Sequence, residues 1–186
     1  GGSLTHGEDY LFEVVSGSNN VVDPSVKFEK IKEVNQAILY TDVIQPILES
    51  RCYSCHSSSR QKGDLRLDGV AFIQKGGEDG SIIEAGQADS SELFSRLMLP
   101  LEDEDHMPPN EKPQPSSSEI ALIQSWINEG ANFDRKISES NNAEKIKGYL
   151  ISVVEQSHKE KIIPDEDVEP GDEMAIASLS KNGVIV

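Results

Sequence analysis

Apolar residues recur at helical spacing in three stretches of the chain. Ile44, Ile47 and Leu48 stand at i, i+3 and i+4, which predicts a first helix with one buried face. Its start falls near Thr41 or Asp42, either of which can cap, and Pro46 sits late in the first turn or marks a small kink. The strongest signal covers residues 116–129. There Ser116 and Glu119 read as a capping box, Ile120, Ile123, Trp126 and Ile127 form one stripe, and Gly130 fits the position just past the helix end. A third stripe, Ile146, Tyr149, Leu150, Val153 and Val154, predicts a helix from Ala143 to Gln156 that docks on its neighbours or on a partner. The segment from Ser91 to Pro100 reads as a shorter helix opened by Asp89 or Ser90, with Glu92 reaching back toward its cap and Met98 packed in the core. From Ser57 to Gly86, glycine and serine predict loops with short turns.

The flanks are less periodic. Residues 1–40 combine Gly, Ser, Asn and charge with a short apolar run from Tyr10 to Val15 and a helix around Phe28 to Leu39, which reads as a semi-ordered arm. Past Ile163 an acidic linker leads to a short helix, Asp172 to Ser180, and a stub, Val184 to Val186. The pattern as a whole is mostly α with long loops. It divides into an arm (1–40), a helical domain (41–133) and a C-terminal helix, linker and stub (134–186).

Composition narrows what such a chain can do. Across 186 residues, 17 Lys and Arg face 33 Asp and Glu, a formal charge of −16, so polyanionic nucleic acid is repelled. No apolar run of 18 residues is present and mean hydropathy is −0.44, so nothing in the chain reads as a bilayer span. Only 36% of residues are hydrophobic and 5% aromatic, a thin supply that calls for an additional stiffening element.

The two cysteines point to that element. Both lie in Cys52-Tyr53-Ser54-Cys55-His56. A structural zinc site needs four ligands, and His6, His106 and His158 are scattered. A thioredoxin-like redox pair sits at a strand-to-helix turn, whereas Asp42 to Arg51 reads as helix. Covalent haem c attachment fits best: two thiols three positions apart reach the two vinyl groups, and the adjacent imidazole turns onto the iron. A second axial ligand follows from Met107 in His106-Met107-Pro108-Pro109, 51 residues after His56, where two prolines stiffen the loop that holds the sulfur. Met174 lies in the acidic tail, and His106 competes for the iron or serves as a hydrogen-bonding loop residue. Arg66 and Arg96 are candidates for the haem propionates, because a guanidinium offers planar paired donors to a carboxylate.

Several short motifs in fixed order carry a resemblance. Val43-Ile44-Gln45-Pro46-Ile47-Leu48, the CYSCH pentapeptide, Lys62-Gly63-Asp64-Leu65-Arg66-Leu67-Asp68, Gly76-Gly77-Glu78-Asp79-Gly80, Glu84-Ala85-Gly86, Ser90-Ser91-Glu92-Leu93, Met107-Pro108-Pro109 and Trp126-Ile127-Asn128-Glu129-Gly130-Ala131 resemble the Planctomycete-type cytochrome c domain over residues 40–133. Asp64 departs from that pattern, where a second small residue is usual, with only a local surface change expected. The resemblance implies a class I cytochrome c-like helical haem domain. In such folds the first and last helices cross, and Trp126 would meet the Ile44 to Leu48 face. It also implies a longer, membrane-tethered parent from which this chain is an excised piece, a periplasmic location, and a repeat-like region after Val186.

The functional expectation is a monohaem electron carrier. Cys52 and Cys55 hold the porphyrin, His56 and Met107 the iron, and no residue is catalytic. The alternatives are a haem enzyme or gas sensor with a labile sixth ligand, or a structural module in which haem only staples the fold. Glu102, Asp103, Glu104 and Asp105 before the Met107 loop read either as a solvated loop or as a surface that lowers the potential and steers a basic redox partner. Oligomeric state is left open.

Overall fold

The structure is a computed structural model in which residues 23–162 are described. Six α-helices carry it, joined by long loops: α1 (Pro24–Phe28), α2 (Gln45–Arg51), α3 (Val70–Lys75), α4 (Glu92–Met98), α5 (Ser117–Asn128) and α6 (Ala143–Ile162). Among the described residues the strands form one antiparallel pair of two-residue strands, β1 (His56–Ser57) and β2 (Arg60–Gln61), with His56 opposite Gln61. The architecture is therefore mostly α, as the periodicity predicts.

The best-signalled helix forms as its sequence dictates. Ser116 Oγ accepts the Glu119 N–H at 3.2 Å and the Ser116 N–H donates to Glu119 Oε2 at 2.6 Å, closing a reciprocal cap on α5. At the other end Gly130, at φ 95°, lets its N–H reach Ile127 O and lets the Ala131 N–H reach Trp126 O, both at 2.9 Å. This left-handed turn satisfies carbonyls that the helix leaves open.

One hydrophobic cluster runs from Phe28 to Val153. Val43, Ile44, Ile47 and Leu48 from the first apolar face, Leu122 and Ile127 from α5, and Ile137 and Ile146 beyond it are completely buried. Each such side chain contributes on the order of 1.5–3 kcal/mol by leaving water. α6 packs along α5 and also meets α1, where Ser25 and Ser157 share a buried 2.8 Å hydrogen bond. Residues from the arm (Phe28, Ala37, Leu39, Tyr40) and from α6 (Ile146, Leu150, Val153) thus share a core with the residues between them. Trp126 lies against Tyr40 and Phe133, each with ring centroids 5.5 Å away, and donates Nε1–H to Asn132 O at 2.9 Å.

The remaining expectations need correction at particular residues. The helix placed over Phe28 to Leu39 is instead α1, ending at Phe28, followed by a single 3₁₀ turn at Val34–Gln36. The first predicted helix does not open at Thr41 or Asp42 as regular α-helix, since α2 begins at Gln45. A wide π-type turn, Leu39–Ile44, feeds α2, and Asp42 reaches back to the Ile38 N–H at 2.7 Å rather than capping forward. Pro46 falls in the first turn of α2, where its missing N–H is harmless.

The loop region hides α3, whose single buried residue, Ile73, leaves no apolar stripe to read. Glu92 does not cap α4. It pairs with Arg96 one turn on, while Ser91 Oγ accepts the Glu84 N–H at 2.9 Å. Met98 is not a core residue: it ends α4 at 59% exposure, while Phe94 and Leu97 take the buried positions. α6 runs to Ile162, beyond the expected Gln156. His6, the Tyr10 to Val15 run, Met174, the Asp172 to Ser180 helix and the Val184 to Val186 stub lie outside the described residues.

Candidate functional site

Helix α2 delivers the pentapeptide. Its last turn continues past Arg51, because the Cys52 N–H reaches Leu48 O at 2.8 Å while Cys52 O accepts the N–H groups of Cys55 (3.1 Å) and His56 (3.0 Å). The chain then enters the β1–β2 pair. Lys62 N–H bonds Cys55 O at 3.1 Å and Leu67 N–H bonds His56 O at 2.9 Å, so the backbone on both sides of the imidazole is fixed.

A mostly apolar cavity of about 350 Å³ opens beside this turn, within the size range of small-molecule and cofactor sites. Cys52, Cys55, His56 and Met107 all line it, together with Leu65, Leu67, Ile82, Leu93 and Leu97. The fold therefore brings together two thiols, an imidazole and a thioether from segments 51 residues apart. Both cysteines are free. Gly77, Glu78, Asp79 and Gly80 also line the cavity. The turn requires glycine at Gly76, whose φ is 79° and where a Cβ would stand 2.0 Å from Gly80 O.

The electrostatics of the lining suit a soft, low-charge ligand set. Burial lowers the His56 pKa, with the nearby Leu65 and Lys62 backbone pulling the other way, so the ring is held toward its neutral, metal-binding form. Burial pushes the Cys52 thiol up to about 12, against the Arg51 guanidinium. Two buried polar atoms of lining residues, His56 Nδ1 and Arg51 Nε, have no hydrogen-bond partner among the described residues. Buried polar groups are seldom left in this state without a ligand or water to complete them. Free thiols, an orphaned imidazole nitrogen and an apolar wall fit a covalently held haem.

The other nominated residues separate. Arg96 lines the cavity, but Glu92 (2.7 Å) and Asp105 (3.3 Å) already pair with it, and its pKa is raised chiefly by the Glu92 hydrogen bond. Arg66 lies outside the lining. It clamps Asp68 through Nε (2.9 Å) and Nη2 (3.0 Å) and stacks on the Phe72 ring, 3.5 Å from its centroid. His106 is buried with Nδ1 2.8 Å from Leu99 O and Nε2 2.9 Å from Gln114 Oε1, so both ring nitrogens are engaged away from the cavity. Trp126 is core and not lining. Asp64 is exposed and pairs with Lys75, the local surface role its departure from pattern implied. Among the described residues no cluster of three or more His, Cys, Asp and Glu stands ready to hold a metal ion by itself.

Sequence reasoning missed Lys62 and Lys112, which line the cavity without an ion-pair partner among the described residues, and the Arg51–Glu119 pair beside it. Arg51 was findable, since it immediately precedes Cys52 in the same helical turn. The lysines come from loops whose course no periodicity reveals.

A mostly α fold whose loops bring a C-x-x-C-H turn and a methionine to one apolar cavity has the residue set of a c-type cytochrome site. Residues 52–111 match the family model described as Planctomycete cytochrome C, about a third of the chain. That segment is similar to the Planctomycete-type cytochrome c family, which implies covalently bound haem c. No curated protein and no solved structure matches the chain.

Proposed function

We propose that the cavity carries one haem c, joined to Cys52 and Cys55 by thioethers and ligated by His56 and Met107, and that the domain passes single electrons rather than turning over a substrate. The observation that carries this reading is the convergence of those four side chains on one cavity. Bound there, the haem supplies a ferric–ferrous couple. His56 contributes a neutral imidazole, and Met107 a soft sulfur that favours the ferrous state. Leu65, Leu67, Ile82 and Leu97 exclude water from the ligands. Lys62 and Lys112 serve the propionates, a task Arg66 does not take because Asp68 holds it.

Glu78, Asp79, Glu92 and Asp105 in the lining stabilise the ferric form and lower the potential. The exposed run from Glu102 to Asp105 steers a basic redox partner at low ionic strength. Covalent haem attachment takes place outside the cytoplasm, which supports a periplasmic location for the domain. No helix among the described residues is long and apolar enough to cross a membrane.

The ferric protein is expected to show a near-infrared sulfur-to-iron charge-transfer band that is lost in Met107→Ala, and the reduced protein to bind no carbon monoxide. Prompt carbon monoxide binding by the unsubstituted protein overturns the carrier reading in favour of an open-iron enzyme or sensor.

A further inference from the structure

Met107 sits in a loop whose two following residues are prolines. The Met107 N–H bonds Arg96 O at 3.1 Å, but neither proline has an N–H, so the two residues after Met107 have no amide donor of their own. One side chain holds them through their carbonyls. Gln114 Nε2 faces three carbonyl oxygens, those of Pro108 (2.9 Å), Pro109 (3.0 Å) and Lys112 (3.1 Å). Its Oε1 stands 2.9 Å from His106 Nε2, and the other ring nitrogen of His106 lies 2.8 Å from Leu99 O. The residues on both sides of Met107 therefore end on a single amide. The orientation of that amide is not interchangeable, because carbonyls accept and only the NH₂ end can donate to them.

Gln114 is itself fixed. It lies two residues before Ser116, the cap of α5, and Glu119 in that cap bonds Arg51, the neighbour of Cys52. The brace on the methionine loop and the turn that carries the cysteines thus meet at the start of one helix.

We propose that Gln114 is a positioning residue that holds the Met107 sulfur in place and sets how readily an outside ligand displaces it; this rests on the reading of Met107 as the sixth ligand. Losing these two N–H donors corresponds to a displacement equilibrium shifted by about 10–100-fold.

The test is an imidazole titration of the ferric, haem-loaded protein, followed at the near-infrared band. Q114L is expected to bind imidazole about 10–100-fold more tightly than the unsubstituted protein. Q114E, which turns an acceptor toward three carbonyls, is expected to go further, and it provides the measurement if Q114L does not accumulate. S25A, which removes the Ser25–Ser157 bond between α1 and α6, lowers the unfolding midpoint without moving imidazole affinity, so general destabilisation is separated from loosening of the loop. If the Gln114 variants bind imidazole within twofold of the unsubstituted protein while M107A abolishes the band, the positioning role is refuted and the ligand assignment stands. If M107A changes neither band nor affinity, both fall.

Discussion

Replacing Arg51 with methionine leaves one of the most buried charges in the protein without its partner. The Glu119 side chain is 1% exposed, and Arg51 Nη2 reaches its two oxygens at 3.1 and 3.2 Å. After the substitution the Ser116 N–H, at 2.6 Å, is the remaining donor to that carboxylate. Removing one member of a buried pair costs on the order of 3–5 kcal/mol, because the other charge stays desolvated. The retained amide donor and the 19% exposure of the Arg51 side chain bring the expectation to about 2–4 kcal/mol.

At about 2–4 °C per kcal/mol for a chain of this length, R51M should lower the unfolding midpoint by about 4–16 °C. The double variant R51M/E119Q removes the stranded charge, and Gln is an accepted capping-box partner at that position, so much of the loss should return. Circular dichroism melts of the haem-loaded single and double variants give the coupling energy directly. Losses in R51M below about 1 kcal/mol, or a double variant equal to the sum of its singles, would refute the claim that a buried pair joins the cysteine-bearing turn to α5.

Trp126→Ala should cost about 3–5 kcal/mol, since it empties a fully buried site between Tyr40 and Phe133 and strands Asn132 O; chemical denaturation of the loaded protein reads it. The Asp68 pKa is held below its ordinary value, first by the Arg66 hydrogen bonds and then by the Ser58 N–H. A depressed carboxylate stabilises the fold above its unfolded pKa, near 3.8, and that contribution disappears as pH falls through the folded value. Asp68→Asn should therefore lose about 1–3 kcal/mol at pH 7 and converge on the unsubstituted protein in acid below that point, and a gap that persists there contradicts the assignment.

Where the chain writes its structure locally, the sequence could be read. Ser116, Glu119 and Gly130 mark both ends of α5 because capping depends on residues three or four apart, and Ile146, Leu150 and Val153 mark α6 because one face must be buried. Cys52, Cys55 and His56 were legible for the same reason, since their chemistry is contiguous. Met107 could be named from its prolines, while its place beside the cysteines depends on the fold.

The failures have a different origin. α3 is short and mostly exposed, so it has no periodicity to detect. Met98 looked like core beside Phe94 and Leu97, and which side of α4 faces inward is decided by distant packing. Arg66 was a reasonable partner for propionates, yet Asp68, two residues on, takes both of its donor arms. Gln114 carries no signal at all, because three of its partners are backbone carbonyls and the fourth a histidine eight residues away.

The most direct measurement is mass spectrometry, under denaturing conditions, of protein matured in a host that assembles c-type cytochromes. The account predicts one haem retained per chain, mapped to the peptide spanning Cys52 to His56 and lost when both cysteines are replaced by alanine. Chains that retain no haem, with both thiols still open to alkylation, would contradict it.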